Sequence, residues 1–270
     1  MIKMIVVDLD GTILDDDKKV PSTTKQYLTK LKNNGYIITI ATGRILSSAL
    51  NATDQAEFAN YIITDNGSCV YKADTKELIY GNYLSEQVAD YCFNYYNDYC
   101  HYIDFCDKDK IYKYSDNPVY DKTMDNIIDN TKDKQYILNN CKNITHISMS
   151  IKNNNKILEI YNDILNKFKE EIEIIIMKDS FDPDKWFDIM SIGSSKYNMV
   201  SKLATYLNIN NSEIIAFGDG INDIEMIKNC GKGIALINAL EEVKNVSDDI
   251  TKFDNNHDGV INYLKEFLNE

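Results

Sequence analysis

Asp8-Leu9-Asp10-Gly11-Thr12 sets two carboxylates two residues apart at the end of a short apolar run. If that run is a strand, both side chains can reach one site once the chain leaves it, and Gly11 permits the sharp turn. A carboxylate can attack phosphorus, and the resulting acyl phosphate is labile enough for water to complete hydrolysis. The second carboxylate can protonate a leaving alkoxide and later take a proton from water. Read alone, the pair is no more than an acidic turn. Gly218-Asp219-Gly220-Ile221-Asn222-Asp223 is more specific. Its carboxylates are four residues apart, with glycines that allow close approach, and they suit a hard cation such as magnesium, which takes oxygen ligands at about 2.0–2.1 Å.

Two further segments would serve an anion. Thr42-Gly43-Arg44 offers a hydroxyl and backbone N–H groups to a phosphate oxygen, although alone it reads as a helix cap. Lys196, in Gly193-Ser194-Ser195-Lys196, can neutralise charge on a nucleophile and a phosphate. A cation at a helix start opposes the helix dipole, which points to something anionic nearby. Asp8, Asp10, Asp219 and Asp223 gathered in one pocket would repel one another and raise their own pKa values. A bound divalent cation removes that difficulty and draws in phosphate.

These segments need a frame that brings them together. Residues 3–9, 36–41 and 61–64 are short β-branched runs that read as buried strands, with helices over 22–34 and from near Leu46. Strand, helix, strand, helix, strand predicts a parallel sheet with crossover helices. Each motif then lies at or beside the C-terminal end of a core strand, where parallel α/β sheets place ligands. From about Tyr80 the pattern changes. A hairpin over 69–71 and 78–80 leads to a helix over 88–99 and antiparallel strands over 102–105 and 111–114. One helix is expected within 121–143. Strand, helix and two strands follow over 146–151, 157–168, 172–177 and 186–190. After Gly193 the parallel pattern resumes. Val200, Leu203, Ala204 and Leu207 mark a helix face, followed by strands over 214–217 and 233–236 and helices over 222–228 and 257–268.

Composition narrows the field. The chain has 270 residues, enough for one large domain or two smaller ones, and its net charge of −13 argues against a nucleic-acid partner. No stretch approaches the roughly 20 apolar residues of a membrane span, and no signal peptide is legible, so a cytoplasmic location is expected. The six cysteines form no CxxC pair and no zinc spacing, which predicts reduced thiols. His101, His146 and His257 are scattered and read as structural or surface residues.

The four motifs, in this order and spacing, resemble those of the haloacid dehalogenase-like superfamily. Asn66-Gly67 after the third strand and Asp258-Gly259-Val260 before the last helix resemble its Cof-like phosphatases. Tyr197 and Leu236-Ile237-Asn238-Ala239 depart from the family, where Gly and Met-Gly-Asn-Ala are common. The resemblance implies an α/β fold, with a Rossmann-like parallel-sheet core over 1–81 and 191–270 and an inserted α+β cap over 82–190. It implies a phosphatase in which Asp8 is the nucleophile and Asp10 the general acid/base. Leu9, Thr42, Gly43, Lys196 and Asn222 would bind the phosphoryl group. Asp8, Asp10 (through its carbonyl), Asp219 and Asp223 would hold Mg2+.

The implied substrate is a small phosphorylated metabolite, either a sugar phosphate or a phosphorylated cofactor. Closure of the cap would exclude water and select the leaving group. The cap tyrosines read as packing, and the polar loop over 179–185 reads as a solvated turn. A phosphosugar mutase shares the nucleophile and metal, and a non-catalytic phosphate-binding protein shares the scaffold. Dehalogenase chemistry is disfavoured by Asp10, and a phosphoryl-transfer pump by the lack of membrane spans.

Overall fold

The computed structural model describes residues 1–115, 128–177 and 186–269. Two compact units divide the chain. One comprises Met1–Arg44, Ala49–Tyr80 and Ser195–Glu270, the other Ile45–Ser48 and Gly81–Ser194.

The first unit is built on β1 (Met4–Val7), β2 (Ile37–Ala41), β3 (Tyr61–Thr64), β4 (Cys69–Lys72) and β5 (Leu78–Gly81). The second contains β6 (Cys100–Cys106), β7 (Ile111–Ser115), β8 (Ile128–Thr131), β9 (His146–Ile151), β10 (Ile172–Met177) and β11 (Trp186–Ser191). The chain then returns to the first sheet with β12 (Ile214–Gly218), β13 (Lys232–Ala235) and β14 (Asp249–Ile250). That sheet runs β14-β13-β12-β1-β2-β3-β4-β5, parallel from β14 to β3 and antiparallel at β3–β4. Helices Ser22–Asn33, Lys196–Tyr206, Ile224–Asn229 and Gly259–Leu268 belong to this unit.

β1 and β12 lie side by side at the centre, and every residue of both is buried. Burial on both faces explains why Met-Ile-Val-Val and Ile-Ile-Ala-Phe are unbroken apolar runs rather than alternating ones. From β1 the chain steps outward through β2 and β3, whereas from β12 it steps the other way through β13 and β14. The sheet order therefore reverses at the β1/β12 boundary, and the C-terminal ends of strands at such a switch point are where open α/β sheets bind ligands. Asp8 leaves β1 at that edge, with its amide still donating to the Phe217 carbonyl at 3.1 Å, and Asp219 leaves β12.

The second sheet runs β10-β11-β9-β6-β7-β8. One face of its central strands is apolar. Ile103, Phe105, Ile147, Met149, Phe187 and Ile189 pack with Val88, Ala89, Cys92, Ile160 and Ile164 of helices Glu86–Cys92 and Ile157–Phe168. The residues between them point to the other face. Ile45 is buried against Cys106 and Ile111, and Ser47 bonds to the Lys108 and Asp109 carbonyls, which places this short segment in the second unit.

Several expectations need correction. Within 121–143 the expected helix lies at Lys134–Asn140, but Ile128–Thr131 is a strand that was not expected, pairing in parallel with β7. Residues 116–127 and the polar loop over 179–185 lie outside the described residues. The helix expected over 88–99 breaks after Cys92 into a 3-10 turn and a four-residue helix. The helix expected from Asn222 begins at Ile224, because residues 221–223 form a 3-10 turn. All six cysteines are buried and none forms a disulfide, and among the described residues no helix is long and apolar enough to cross a membrane.

Candidate active site

The turn after β1 is self-stabilised. The Leu9 carbonyl accepts from the amides of Thr12, Ile13 and Leu14 at 3.2, 3.0 and 2.9 Å, which folds the chain back within three residues. Leu9 itself is fully buried. Gly11 has φ +73°, and a Cβ there would fall 2.2 Å from Asp219 Oδ2. Only glycine lets the two loops approach this closely. Asn238 closes the other side by donating to the Gly11 carbonyl at 2.8 Å.

The turn after β12 is built the same way. Asp223 Oδ2 accepts from the amides of Asp219 and Gly220, both at 3.0 Å, so its carboxylate caps the turn that carries it. A Cβ on Gly218 would lie 2.5 Å from Asp223 Cγ. Lys196 is the first residue of its helix, whose start is fixed by Ser195 Oγ accepting from the Asn198 amide at 3.2 Å. A Cβ on Gly67 would meet the Ser195 carbonyl oxygen at 2.3 Å, so the turn after β3 abuts this helix start.

Three carboxylates and one ammonium converge here. Lys196 Nζ donates to Asp8 Oδ1 and to Asp223 Oδ1, both at 2.7 Å, and is 1% exposed. Thr12 Oγ1 donates to Asp219 Oδ1 at 2.8 Å. Asp8, Asp219 and Asp223 each present a ligand oxygen within 4.8 Å of the other two. Counting full charges, three carboxylates against one ammonium leave an excess of two negative charges.

The titration behaviour follows. Burial, reinforced by Asp223 and Asp219, pushes Asp8 well above the usual carboxylate range, against the pull of Lys196. Burial and Asp223 push Asp219 up to about 7. Burial alone would lower Lys196, but Asp223 and Asp8 outweigh it and hold the ammonium above its ordinary range. Lys196 therefore stays charged, while burial works against ionising Asp8 and Asp219 together without another cation.

That donor set fits magnesium. It is all oxygen, it is clustered, and its charge excess equals that of a divalent ion.

Asp10 is placed differently. Both its oxygens face cations: Arg44 Nε donates to Oδ2 at 2.6 Å, Arg44 Nη2 to Oδ1 at 2.7 Å, and Lys18 Nζ to Oδ1 at 3.3 Å. Burial works against ionisation, but Arg44 and then Lys18 override it and hold Asp10 below the usual carboxylate range. Thr42 Oγ1 accepts from the Arg44 amide at 3.1 Å, and the Thr42 carbonyl accepts from the Asn66 amide at 3.1 Å. Asn222 Nδ2 donates to Asn66 Oδ1 at 2.8 Å, and a Cβ on Gly43 would lie 2.9 Å from that same oxygen.

The structure thus gathers Asp8, Asp219, Asp223 and Lys196 into one cluster. It links Thr42, Gly43 and Asn222 through Asn66, and pairs Asp10 with Arg44. Sequence reasoning assigned no role to Arg44, Lys18, Thr12 or Asn238. Asn66 enters the sequence reading only with Gly67, as a feature resembling the Cof-like phosphatases. Arg44 and Thr12 stand inside quoted motifs, so their positions were visible even though their contacts were not.

Comparisons with known proteins show the family and the fold. Residues 5–264 match the haloacid dehalogenase-like hydrolase family. A 5-amino-6-(5-phospho-D-ribitylamino)uracil phosphatase of Bacillus subtilis, YitU, is 25% identical over 277 residues, covering 98% of this chain and 97% of its own. A second Bacillus subtilis phosphatase of the same description, YcsE, is 24% identical over 272 residues, covering 99% of this chain and 96% of its own. A solved haloacid dehalogenase-like hydrolase from Bacteroides thetaiotaomicron superposes with a TM-score of 0.82 at 25% identity, covering 99% of this chain and all of that one.

Proposed function

The chain belongs to the haloacid dehalogenase-like hydrolases, and from that premise we propose that it is a magnesium-dependent phosphatase in which Asp8 attacks the phosphorus of a small phosphomonoester. The observation that carries this reading is the cluster of Asp8, Asp219 and Asp223 around Lys196, with its excess of two negative charges.

The steps balance as follows. An Asp8 oxygen bonds to phosphorus while the ester P–O bond breaks, and the electron pair leaves with the alcohol oxygen. Asp10 delivers the proton that makes that oxygen an alcohol. Water then attacks the aspartyl phosphate and gives its proton to Asp10, and the breaking P–O bond returns its electron pair to Asp8. The net change is ester plus water to alcohol plus phosphate. Asp8, Asp219 and Asp223, with the Asp10 carbonyl, would hold magnesium. When bound, that ion supplies positive charge against the phosphoryl oxygens. Lys196 holds Asp8 in place through Oδ1. The Leu9 and Gly43 amides, Thr42 and Asn222 would grip the phosphoryl oxygens, with Asn222 steadied by Asn66.

The substrate class we favour is a phosphorylated small metabolite of the sugar-phosphate or cofactor-precursor kind. Support comes from the ribityl phosphate in the relatives' names. We assign the choice of leaving group to residues 82–190.

The test is hydrolysis of p-nitrophenyl phosphate with magnesium and with chelator. Chelation should abolish turnover and magnesium restore it. Asp8→Asn should cost at least about 10⁴-fold in kcat while the protein stays folded. Wild-type-like turnover by that variant would remove Asp8 as the nucleophile.

A further inference from the structure

Asp10 is the one carboxylate among the four motif aspartates that lies outside the cluster of three, and its surroundings are built with care. A carboxylate offers four lone-pair sites. Arg44 Nη2 and Lys18 Nζ take Oδ1, and Arg44 Nε takes Oδ2. One site remains, on Oδ2, with no donor among the described residues.

The guanidinium that does this is itself anchored. Its backbone amide donates to Thr42 Oγ1 at 3.1 Å, its carbonyl accepts from the Asp65 amide at 3.0 Å, and its side chain is 18% exposed. The Lys18 side is anchored too. Residues 15–19 form a turn in which the Asp15 amide donates to the Lys19 carbonyl and the Asp15 carbonyl accepts from the Lys18 amide, both at 2.9 Å. Lys18 has φ +59°, and the turn is tied down by Asn255 Nδ2 on the Leu14 carbonyl at 2.9 Å and by Asn256 Oδ1 on the Asp16 amide at 3.0 Å. Lys18 is 64% exposed, so its contact is worth little beside the fork from Arg44.

We propose that Arg44 is a positioning residue for proton transfer: its two-point fork fixes the plane of the Asp10 carboxylate, so that the single open lone pair on Oδ2 is where the transferred proton is carried. The inference rests on Asp10 being the acid/base of the reaction above. The proton on Oδ2 passes to the ester oxygen as its bond to phosphorus breaks, and the same lone pair receives the proton of the attacking water. A fork holds a plane, whereas a single ammonium holds only a distance, so lysine cannot replace arginine here.

Leaving groups distinguish this role from a structural one. p-Nitrophenolate leaves without protonation, whereas an alkoxide needs its proton in the transition state. The experiment measures kcat/KM of the magnesium-loaded full chain on p-nitrophenyl phosphate and on glycerol 2-phosphate, together with the inhibition constant of inorganic phosphate. The variants are Arg44→Gln, Arg44→Lys and Asp10→Asn. For Arg44→Gln, the loss on the alkyl ester should exceed the loss on the nitrophenyl ester by at least about tenfold. Phosphate inhibition should stay within about threefold of wild type, and Arg44→Lys should recover less than about a third of the lost discrimination.

Equal losses on the two esters, a parallel weakening of phosphate inhibition, or full rescue by lysine would each overturn the proposal. If Asp10→Asn discriminates between the esters and Arg44→Gln does not, the inference fails alone. If Asp10→Asn does not discriminate either, the acid role of Asp10 fails and takes the inference with it.

Discussion

Among the described residues two lysine–aspartate clusters are buried, one in each unit, and they are balanced in opposite ways. In the first unit Lys196 serves two carboxylates, and a third, Asp219, stands beside them and accepts from the Thr12 hydroxyl. In the second unit each carboxylate has its own donor. Lys113 Nζ lies 2.8 Å from Asp104 Oδ2 and 2.7 Å from Oδ1, and sits 3.4 Å from the centroid of the Tyr102 ring. Asp188 accepts from the Ser148 hydroxyl. Burial raises the pKa of Asp104, as it does that of Asp8 and Asp219, against the pull of the Lys113 ammonium beside it, with His146 adding to that pull and Asp188 opposing it. A buried pair that closes on itself holds a sheet face together. A buried cluster left with excess charge is unfinished without a ligand.

Removing each lysine tests that contrast most severely. Lys196→Met leaves three buried carboxylates without a counter-charge and should cost about 3–5 kcal/mol of stability as well as nearly all turnover. Lys113→Met strands Asp104 and should cost about 3 kcal/mol, yet leave p-nitrophenyl phosphate turnover within about threefold of wild type. Denaturant unfolding and the nitrophenyl assay on both variants read this directly. Comparable losses of turnover in the two variants would erase the distinction.

The two clusters also differ in how far the sequence discloses them. The first is assembled at strand ends, where turns bring neighbours of the chain to one point. Asp8 and Asp10 stand two apart and Asp219 and Asp223 four apart, so spacing and glycines announce a site before any fold is known. Its partners across the fold were hidden. Nothing in the chain says that Asn66 meets Asn222 or that Arg44 meets Asp10, because those contacts depend on how β2 and β3 stack beside β1.

The second cluster sits in mid-strand. Asp104, Lys113, Ser148 and Asp188 come from four strands, and alternation shows only that each faces away from the apolar side. Register aligns them, with Asp104 opposite both Lys113 and Ser148 and Ser148 opposite Asp188, and register is not written in a single strand. The same limit explains β8. Ile-Asp-Asn-Thr carries one apolar residue, and β7 alone makes it a strand.

Acidity should separate the clusters next. A carboxyl whose folded pKa lies above its unfolded value binds more protons when folded, so stability falls as pH rises through that interval. For Asp219 the interval runs from the ordinary carboxylate range up to about 7. In chelator-treated protein, stability should fall by about 2–4 kcal/mol between pH 4.5 and 8, most of it by pH 7. Saturating magnesium favours the ionised carboxylates and should remove the contribution of the first cluster. The slope that remains belongs to groups such as Asp104, which a metal at the first site does not touch. Thermal melts at several pH values, with magnesium and with chelator, measure both parts. An identical pH slope in the two conditions would mean that the ion does not bind at the cluster.

The smallest expected effect concerns how closely the loops pack. The strands that carry the second cluster contain no glycine on any face, whereas the first site depends on glycine at several close approaches. Gly43 is the mildest of these, because its φ is not in the left-handed region and alanine brings no backbone strain. Its Cβ would lie 2.9 Å from Asn66 Oδ1, the oxygen that receives Asn222. The Asn66 amide must then give way and move Asn222 with it. Gly43→Ala should cost about 1 kcal/mol or less in stability and raise KM for p-nitrophenyl phosphate roughly fivefold, with a smaller change in kcat. If the effect travels through Asn66, it should shrink once that side chain is shortened. Gly43→Ala added to Asn66→Ser should then raise KM by less than about twofold over Asn66→Ser alone. Full additivity of the two substitutions would mean that Gly43 acts on the phosphate directly, through its own amide.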